Sequence, residues 1–527
     1  MNEKLNSNSE KFIKPAKRLS GPRKLFTGGT LLLVAAGCRG VAQGLSTPSF
    51  LPSENPLATS SFEPTPSQTP DITLTPTPSL TPEVTPTPTS EVTPQPKVVA
   101  EVRTGLGSEP SVAASPYDKN LVAMSYNYVA LHAGVNQDGV RISQDGGKTW
   151  KEVAREPWQG HIPDYHGVVA WGPGETPGSS RLWWTDAIVL GKPVTGEGTV
   201  AQSVAYSDDL GQTWNFHIFE NTPRWIGGFP NLTVDNNPQS PNFGTAYVAY
   251  NWLESAKGPG LAVAASKDGK NWQVTQVPAH ELDGYPDYWR INYRVKTDSQ
   301  GNAYVLFYQS NLKYWSTDNI FSQGGPSNIG EMEYYLAKLS YDHDGTLQVD
   351  YVLPTTSLKG SSQNVLYDPQ WESGFAIDQN DNPWMAFSSS GKLIIGEMPT
   401  DPKNETPWME FSMSGAECFK PSLTVGIHNE IIVGFHAVTN GMVGTYFMVS
   451  YDDGENWQPP QLVTKSIWRL SSISNVLNNT GLRESMDVGP DGEIYYTYAD
   501  PRSGELSTYV AVIDLGDNKT PSQLTRN

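Results

Sequence analysis

From about residue 98 the chain repeats one pattern of apolar and polar positions. Each unit opens with a short strand-like run closing in Asp or Gly. Examples are Leu232-Thr233-Val234-Asp235, Phe375-Ala376-Ile377-Asp378, Leu423-Thr424-Val425-Gly426 and Met486-Asp487-Val488-Gly489. A few residues later comes a longer apolar and aromatic run, such as Ala246–Tyr250, Ala303–Phe307 or Ile494–Tyr498. Short β-branched and aromatic runs bounded by Gly, Asn and Pro predict strands. No segment sustains a helical apolar period, so helices should be rare. Unit starts fall near Glu109, Asp164, Phe229, Asn292, Ser373, Lys420 and Glu484, which makes seven, or six if two short units share a blade.

A polar hairpin motif closes the complete units. It reads Ser143-Gln144-Asp145-Gly146-Gly147-Lys148-Thr149-Trp150, returns at Ser207–Trp214 and Ser450–Trp457, and is one residue shorter at Ser266–Trp272. A worn copy without the Trp stands at Ser340–Gly345. Ser and Asp two apart turn their oxygens onto backbone N–H groups of a tight hairpin. Gly takes the positive-φ position, and the Trp folds back as an apolar plug. Recurrence of this motif marks an internal repeat, which sets the architecture.

These octapeptides resemble the Asp-box, or BNR, repeat of sialidases and related β-propellers. The resemblance implies an all-β chain, a single propeller of four-stranded blades; catalytic sialidases usually have six, so the seven units counted here depart from them. It places the boxes on hairpins between third and fourth strands, facing away from the substrate. Their residues are then structural: Ser143, Asp145, Gly147 and Trp150; Ser207, Asp209, Gly211 and Trp214; Asp268 and Trp272; Asp452, Gly454 and Trp457. The last unit lacks a fourth strand, and the orphan run Val98–Val102 is expected to supply it, removing an exposed edge.

The N-terminal residues carry a different pattern. Basic residues from Lys11 to Lys24, an apolar run from Leu25 to Ala36 and the ending Ala35-Ala36-Gly37-Cys38 read as a lipoprotein-type export signal over 1–37. Cys38 is the expected lipidation site, although Ala35 stands where such signals usually carry Leu. Residues 38–96 are rich in Thr-Pro and Ser-Pro, which favours an extended, disordered linker. At about 3.1 Å per residue its Pro-rich part reaches roughly 150 Å. The propeller domain is placed at 97–520, and 521–527 is a disordered tail. Together these readings predict a bacterial cell-surface lipoprotein, or a secreted protein, that is monomeric.

A formal net charge of -19 argues against nucleic acid, whose affinity rests on basic phosphate contacts. Two cysteines leave no disulfide framework, and Cys418 reads as a small buried residue. No metal or cofactor motif occurs, and none is expected.

In a propeller the loops opposite the boxes converge on one mouth. The sequence sends there Asp164, Tyr293, Glu372 and Glu484 as candidate catalytic groups. It also sends Arg224, Arg290, Arg294 and Arg483 to grip an anion, with Trp252 and Trp289 as stacking faces. Asn127, Asp186, Asn251, Gln309, His436, Asp500 and Arg502 stand at second-strand ends near the same face. The implied function is a sialidase-like propeller that binds or hydrolyses glycans. The alternative is a non-catalytic propeller binding a protein or polysaccharide. Catalytic sialidases carry Arg-Ile-Pro before the first blade strand, where this chain has Gly107-Ser108-Glu109-Pro110. The nearest echo is Arg290-Ile291-Asn292.

Overall fold

The computed structural model describes residues 95–516, apart from 131–134, 155–161, 191–198, 220–229, 254–258, 279–287, 312–331, 359–372, 402–407 and 471–483. The expected export signal, Cys38, nearly all of the linker and the tail lie outside the described residues.

The strands form seven antiparallel sheets, one after another along the chain. Their innermost strands are Ser108–Ala114, Ile162–Pro173, Asn231–Val234, Tyr288–Thr297, Ser373–Ile377, Glu417–Val425 and Ser485–Val488. Each meets the next, and the seventh meets the first, so the sheets close into a seven-bladed β-propeller. The seven-unit count holds. The fourth blade starts earlier than expected, at Tyr288, and the sixth gains an unforeseen fifth strand, Trp468–Arg469.

The long apolar runs are the second strands, buried on both faces between neighbouring blades. In blade 3, Ala246, Val248 and Tyr250 pack toward blade 2. Tyr247 and Ala249, on the other side of the same strand, pack toward blade 4. A strand alternates its side chains, so two buried faces require a continuous apolar run.

Ring closure follows the expected route. Lys97–Leu106 pairs with Ser507–Asp514 as the outermost strand of blade 7, with Val98 opposite Ile513 and Val102 opposite Val510. The register slips between Val98 and Ala100, and Val99 is 51% exposed there. A bulge of this kind interrupts the outer edge of blade 7.

The four boxes share one hydrogen-bond scheme. In the first, Gly147 N donates to Ser143 Oγ at 2.8 Å, Thr149 N to Asp145 Oδ1 at 2.8 Å, and Trp150 Nε1 to Gly147 O at 3.0 Å. Thr213 and Asp209, Asn271 and Asp268, and Asn456 and Asp452 repeat the carboxylate contact at 2.8 Å. Each box joins the third and fourth strands of its blade. The worn copy occupies the same hairpin in blade 4, where Asp342 Oδ1 accepts from Thr346 N at 2.9 Å.

Candidate ligand site at the mouth of the central channel

Innermost strands turn one edge toward the propeller axis, and side chains from neighbouring blades satisfy it. Val112 N donates to Ser485 Oγ at 2.7 Å and Ala114 N to Asp487 Oδ2 at 2.8 Å, tying blade 1 to blade 7. Val295 N donates to Asn231 Oδ1 at 3.0 Å, and Arg294 Nε to Ser373 O at 3.1 Å. What remains along the axis is a cavity of about 150 Å³ touched by all seven innermost strands. Its charged lining comes from two blades: Arg294 and Lys296 from the fourth, Glu484 and Asp487 from the seventh. Burial pushes the Asp487 carboxyl up, and the Lys296 charge offsets this only in part.

Toward the mouth, four innermost strands break register at matching places. The breaks lie between Ser108 and Ser111, Tyr165 and Val168, Ile291 and Arg294, and Phe419 and Ser422. Two of these bulges hold a charged residue with positive φ, Glu109 at 52° and Lys420 at 52°. Both are buried, and Asn127 Nδ2 donates to Glu109 Oε2 at 3.3 Å. A left-handed non-glycine costs on the order of 1 kcal/mol or more, so surroundings must impose it. Bulges re-aim side chains at rims and beside active sites. The sequence reading assigned neither residue a role. Its one local sign is a charged residue before proline, in Glu109-Pro110 and Lys420-Pro421.

Behind the bulges, the second strands place a buried polar residue in every blade: Asn127, Asp186, Asn251, Gln309, Ser388, His436 and Asp500. Asn251 shares its row with Leu261 and Val277. Arg290, also buried, reaches that row from blade 4 and donates through Nη1 to Val277 O at 2.7 Å. Arg290 thus bridges blades 3 and 4. Both side-chain amide atoms of Asn251 are buried without a protein hydrogen bond.

Glu484 is placed on the channel wall, with its carboxyl committed to blade 6. It is bound by His436 Nε2 and accepts from Tyr496 OH at 3.1 Å, while Thr445 Oγ1 lies 3.0 Å from His436 Nδ1. Farther out, Glu101 of the closing strand accepts from Tyr498 OH and from Arg502 Nη2. Arg502 Nε stands 3.4 Å from Asp500 Oδ2, and its guanidinium covers the Tyr509 ring at 3.9 Å. Burial drives the Asp500 carboxyl up to about 6 despite the neighbouring Arg502. The two groups meet where His436 and Tyr498 lie edge-on at 6.3 Å.

Of the remaining candidates, Trp252 is half-buried and meets Tyr250 edge-on at 6.4 Å. Asp164, Trp289 and Tyr293 stand in the innermost strands of blades 2 and 4, with side chains outside the described residues. Arg224, Glu372 and Arg483 lie outside them entirely. On the opposite face Asp342, His343 and Asp344 come together at the worn hairpin, where Asp342 serves the turn.

The BNR/Asp-box repeat family matches residues 141–152, the first box. No curated protein matches the chain. Among solved structures it is similar to an α-L-arabinanase of Penicillium chrysogenum, at 14% identity over 72% of this chain and 99% of that one, TM-score 0.42. It is similar to a Hadza microbial sialidase at 14% identity over 72% and 73% of the two chains, TM-score 0.41. It is also similar to an ulvan lyase of family PL25 at 10% identity over 78% and 96%, TM-score 0.47. The chain therefore carries a BNR/Asp-box repeat within a seven-bladed β-propeller.

Proposed function

We propose that this chain is a surface-displayed glycan-binding propeller whose ligand sits in the channel mouth, on the face away from the boxes. The repeated bulge carries this reading: four blades break register at the mouth, and Glu109 and Lys420 are held there, buried at positive φ. Burying charge on strained backbone weakens a fold, and such strain concentrates at functional sites. Below them, blade 4 gives the channel two cations, Arg294 and Lys296, while Glu484 and Asp487 line it from blade 7. The blade 4 side suits a sugar bearing a carboxylate or sulfate. Trp252 adds an aromatic face at the same end.

The alternative is hydrolysis, which needs a pair of carboxyls flanking the scissile bond. Of the candidates, Glu484 is bound by His436 and Tyr496, and the side chains of Asp164 and Glu372 lie outside the described residues. The N-terminal part of the proposal is a lipid on Cys38 and a Thr/Pro-rich stalk carrying a monomeric propeller beyond the cell surface. Mass spectrometry of the chain from a bacterial membrane fraction tests the lipid; an unmodified Cys38 refutes it.

A glycan array probed with wild type, Glu109→Gln and Lys420→Met tests the site, alongside a panel of fluorogenic glycosides. Array signals for uronic or sulfated sugars that both variants lose by tenfold or more, with melting temperature kept, support it. Turnover of any glycoside by wild type would restore the hydrolytic reading.

A further inference from the structure

The box of blade 3 is one residue shorter than its three complete counterparts, and the missing residue can be named. In the octapeptides the fourth position is left-handed: Gly146 at 69°, Leu210 at 58° and Asp453 at 54°. The glycine that follows is left-handed too. Ser266–Trp272 keeps only that glycine, Gly269 at 74°. Its hydrogen bonds survive, with Gly269 N on Ser266 Oγ at 2.9 Å and Trp272 Nε1 on Gly269 O at 3.1 Å. The seating of the box glycine varies: against Val153 of the neighbouring outermost strand in blade 2, against Tyr495 and Val512 in blade 1, and against Trp384 in blade 6. In blade 3 the shortened hairpin lies against Tyr206, on a third strand, where a Cβ on Gly269 would meet the ring at 2.4 Å.

The outermost strand of blade 2, Asn215–Ile218, is left beside an open cleft of about 390 Å³. Trp214, Phe216 and His217 line it half-buried, with exposed Asn215 and Lys270 at its side and Tyr206 as its floor. His217 is held by stacking on Trp272 at 6.0 Å. None of the lining residues is acidic. Nearby carboxylates are already engaged: Asp208 by Arg181 Nε at 2.8 Å, Asp268 by its own box. Aromatic surface beside an amide and an ammonium donor matches a ring with hydroxyl or carboxylate oxygens. The volume lies at the small end of ligand sites, room for one or two sugar rings.

We propose that this cleft is a second saccharide subsite, on the box face and separate from the channel mouth, taking one or two residues of a neutral or anionic glycan. Its ligand class rests on the glycan reading of the mouth; its location does not. The test uses the full chain and four probes, cellobiose, galactobiose, arabinobiose and a glucuronic-acid disaccharide, each followed by saturation-transfer NMR and by tryptophan fluorescence. Two alterations close or strip the cleft: a glycine inserted between Asp268 and Gly269, restoring the eight-residue box, and the pair His217→Ala with Lys270→Ala. Arg294→Met reports on the mouth. The proposal requires a disaccharide signal that persists in Arg294→Met and weakens tenfold or more in a folded cleft variant. Signals lost only in Arg294→Met overturn the cleft and keep the mouth. Signals lost only in the cleft variants keep the cleft and overturn the mouth. No signal from any probe on wild type overturns both.

Discussion

At the box end of the propeller, Asp145 and Asp268 sit near the surface, each surrounded by backbone N–H donors from its own hairpin. Hydrogen bonds from Thr149 hold the Asp145 carboxyl down at about 2. At the mouth end, Asp500 is buried, and burial drives its carboxyl upward, to about 6. The same side chain thus does opposite work at the two ends. Box aspartates are satisfied locally and gain from being charged. The buried Asp500 loses solvation when charged, and the neighbouring Glu101 depends on Tyr498 and Arg502, which reach it across the ring closure. Local satisfaction makes the boxes interchangeable parts. Long-range satisfaction makes the mouth specific to this chain.

The sharpest way to break that contrast is to remove one long-range partner. Arg502→Met leaves the buried carboxyls of Glu101 and Asp500 without their cation, a loss expected at about 3–5 kcal/mol in urea unfolding. A loss below about 1 kcal/mol would mean that these acids find solvent and the contrast is wrong.

Titration should separate the ends by sign. An Asp500 carboxyl raised to about 6 stabilises the fold fully below the unfolded value and loses that contribution as pH climbs from about 4 to 6. The expected drop is on the order of 3 kcal/mol, and Asp500→Asn should abolish it. The box carboxylates behave inversely, stabilising above about pH 4 and failing only as pH falls toward about 2. Stability against pH for wild type and Asp500→Asn, compared between pH 4 and 7, reads the difference directly.

Ligand affinity provides a third contrast. Arg294→Met should weaken binding of an anionic sugar by around a hundredfold, about 2.7 kcal/mol, with little change in melting. Asp145→Ala and Asp209→Ala should do the reverse: about 1–2 kcal/mol of stability lost with their turn hydrogen bonds, and affinity unchanged in the folded protein. An affinity loss in a box variant at full folding would move function to the box face.

What could be read from the chain by itself follows from these distances. Ser143 to Trp150 are eight consecutive positions of one hairpin, so the box's own Ser, Asp and Trp hydrogen bonds are encoded in consecutive residues. The alternation in Ala246–Tyr250 is equally local, and with it came the strands, the seven units and the use of Val98–Val102 to close the ring. The mouth was legible only as a set of candidates. Arg290 and Arg294 look alike in sequence, four residues apart. A bulge between them sends one to Val277 O of blade 3 and the other to the channel wall. Glu484 was seen as an acid at a strand start, but its partners, His436 and Tyr496, come from other strands. Glu109 and Lys420 took on interest only through backbone angles imposed by the neighbouring blades. A hairpin closes over a few residues and carries its energy locally. A channel assembled from seven strands exists only once the ring is shut, and the burial that sets its chemistry belongs to the ring as a whole.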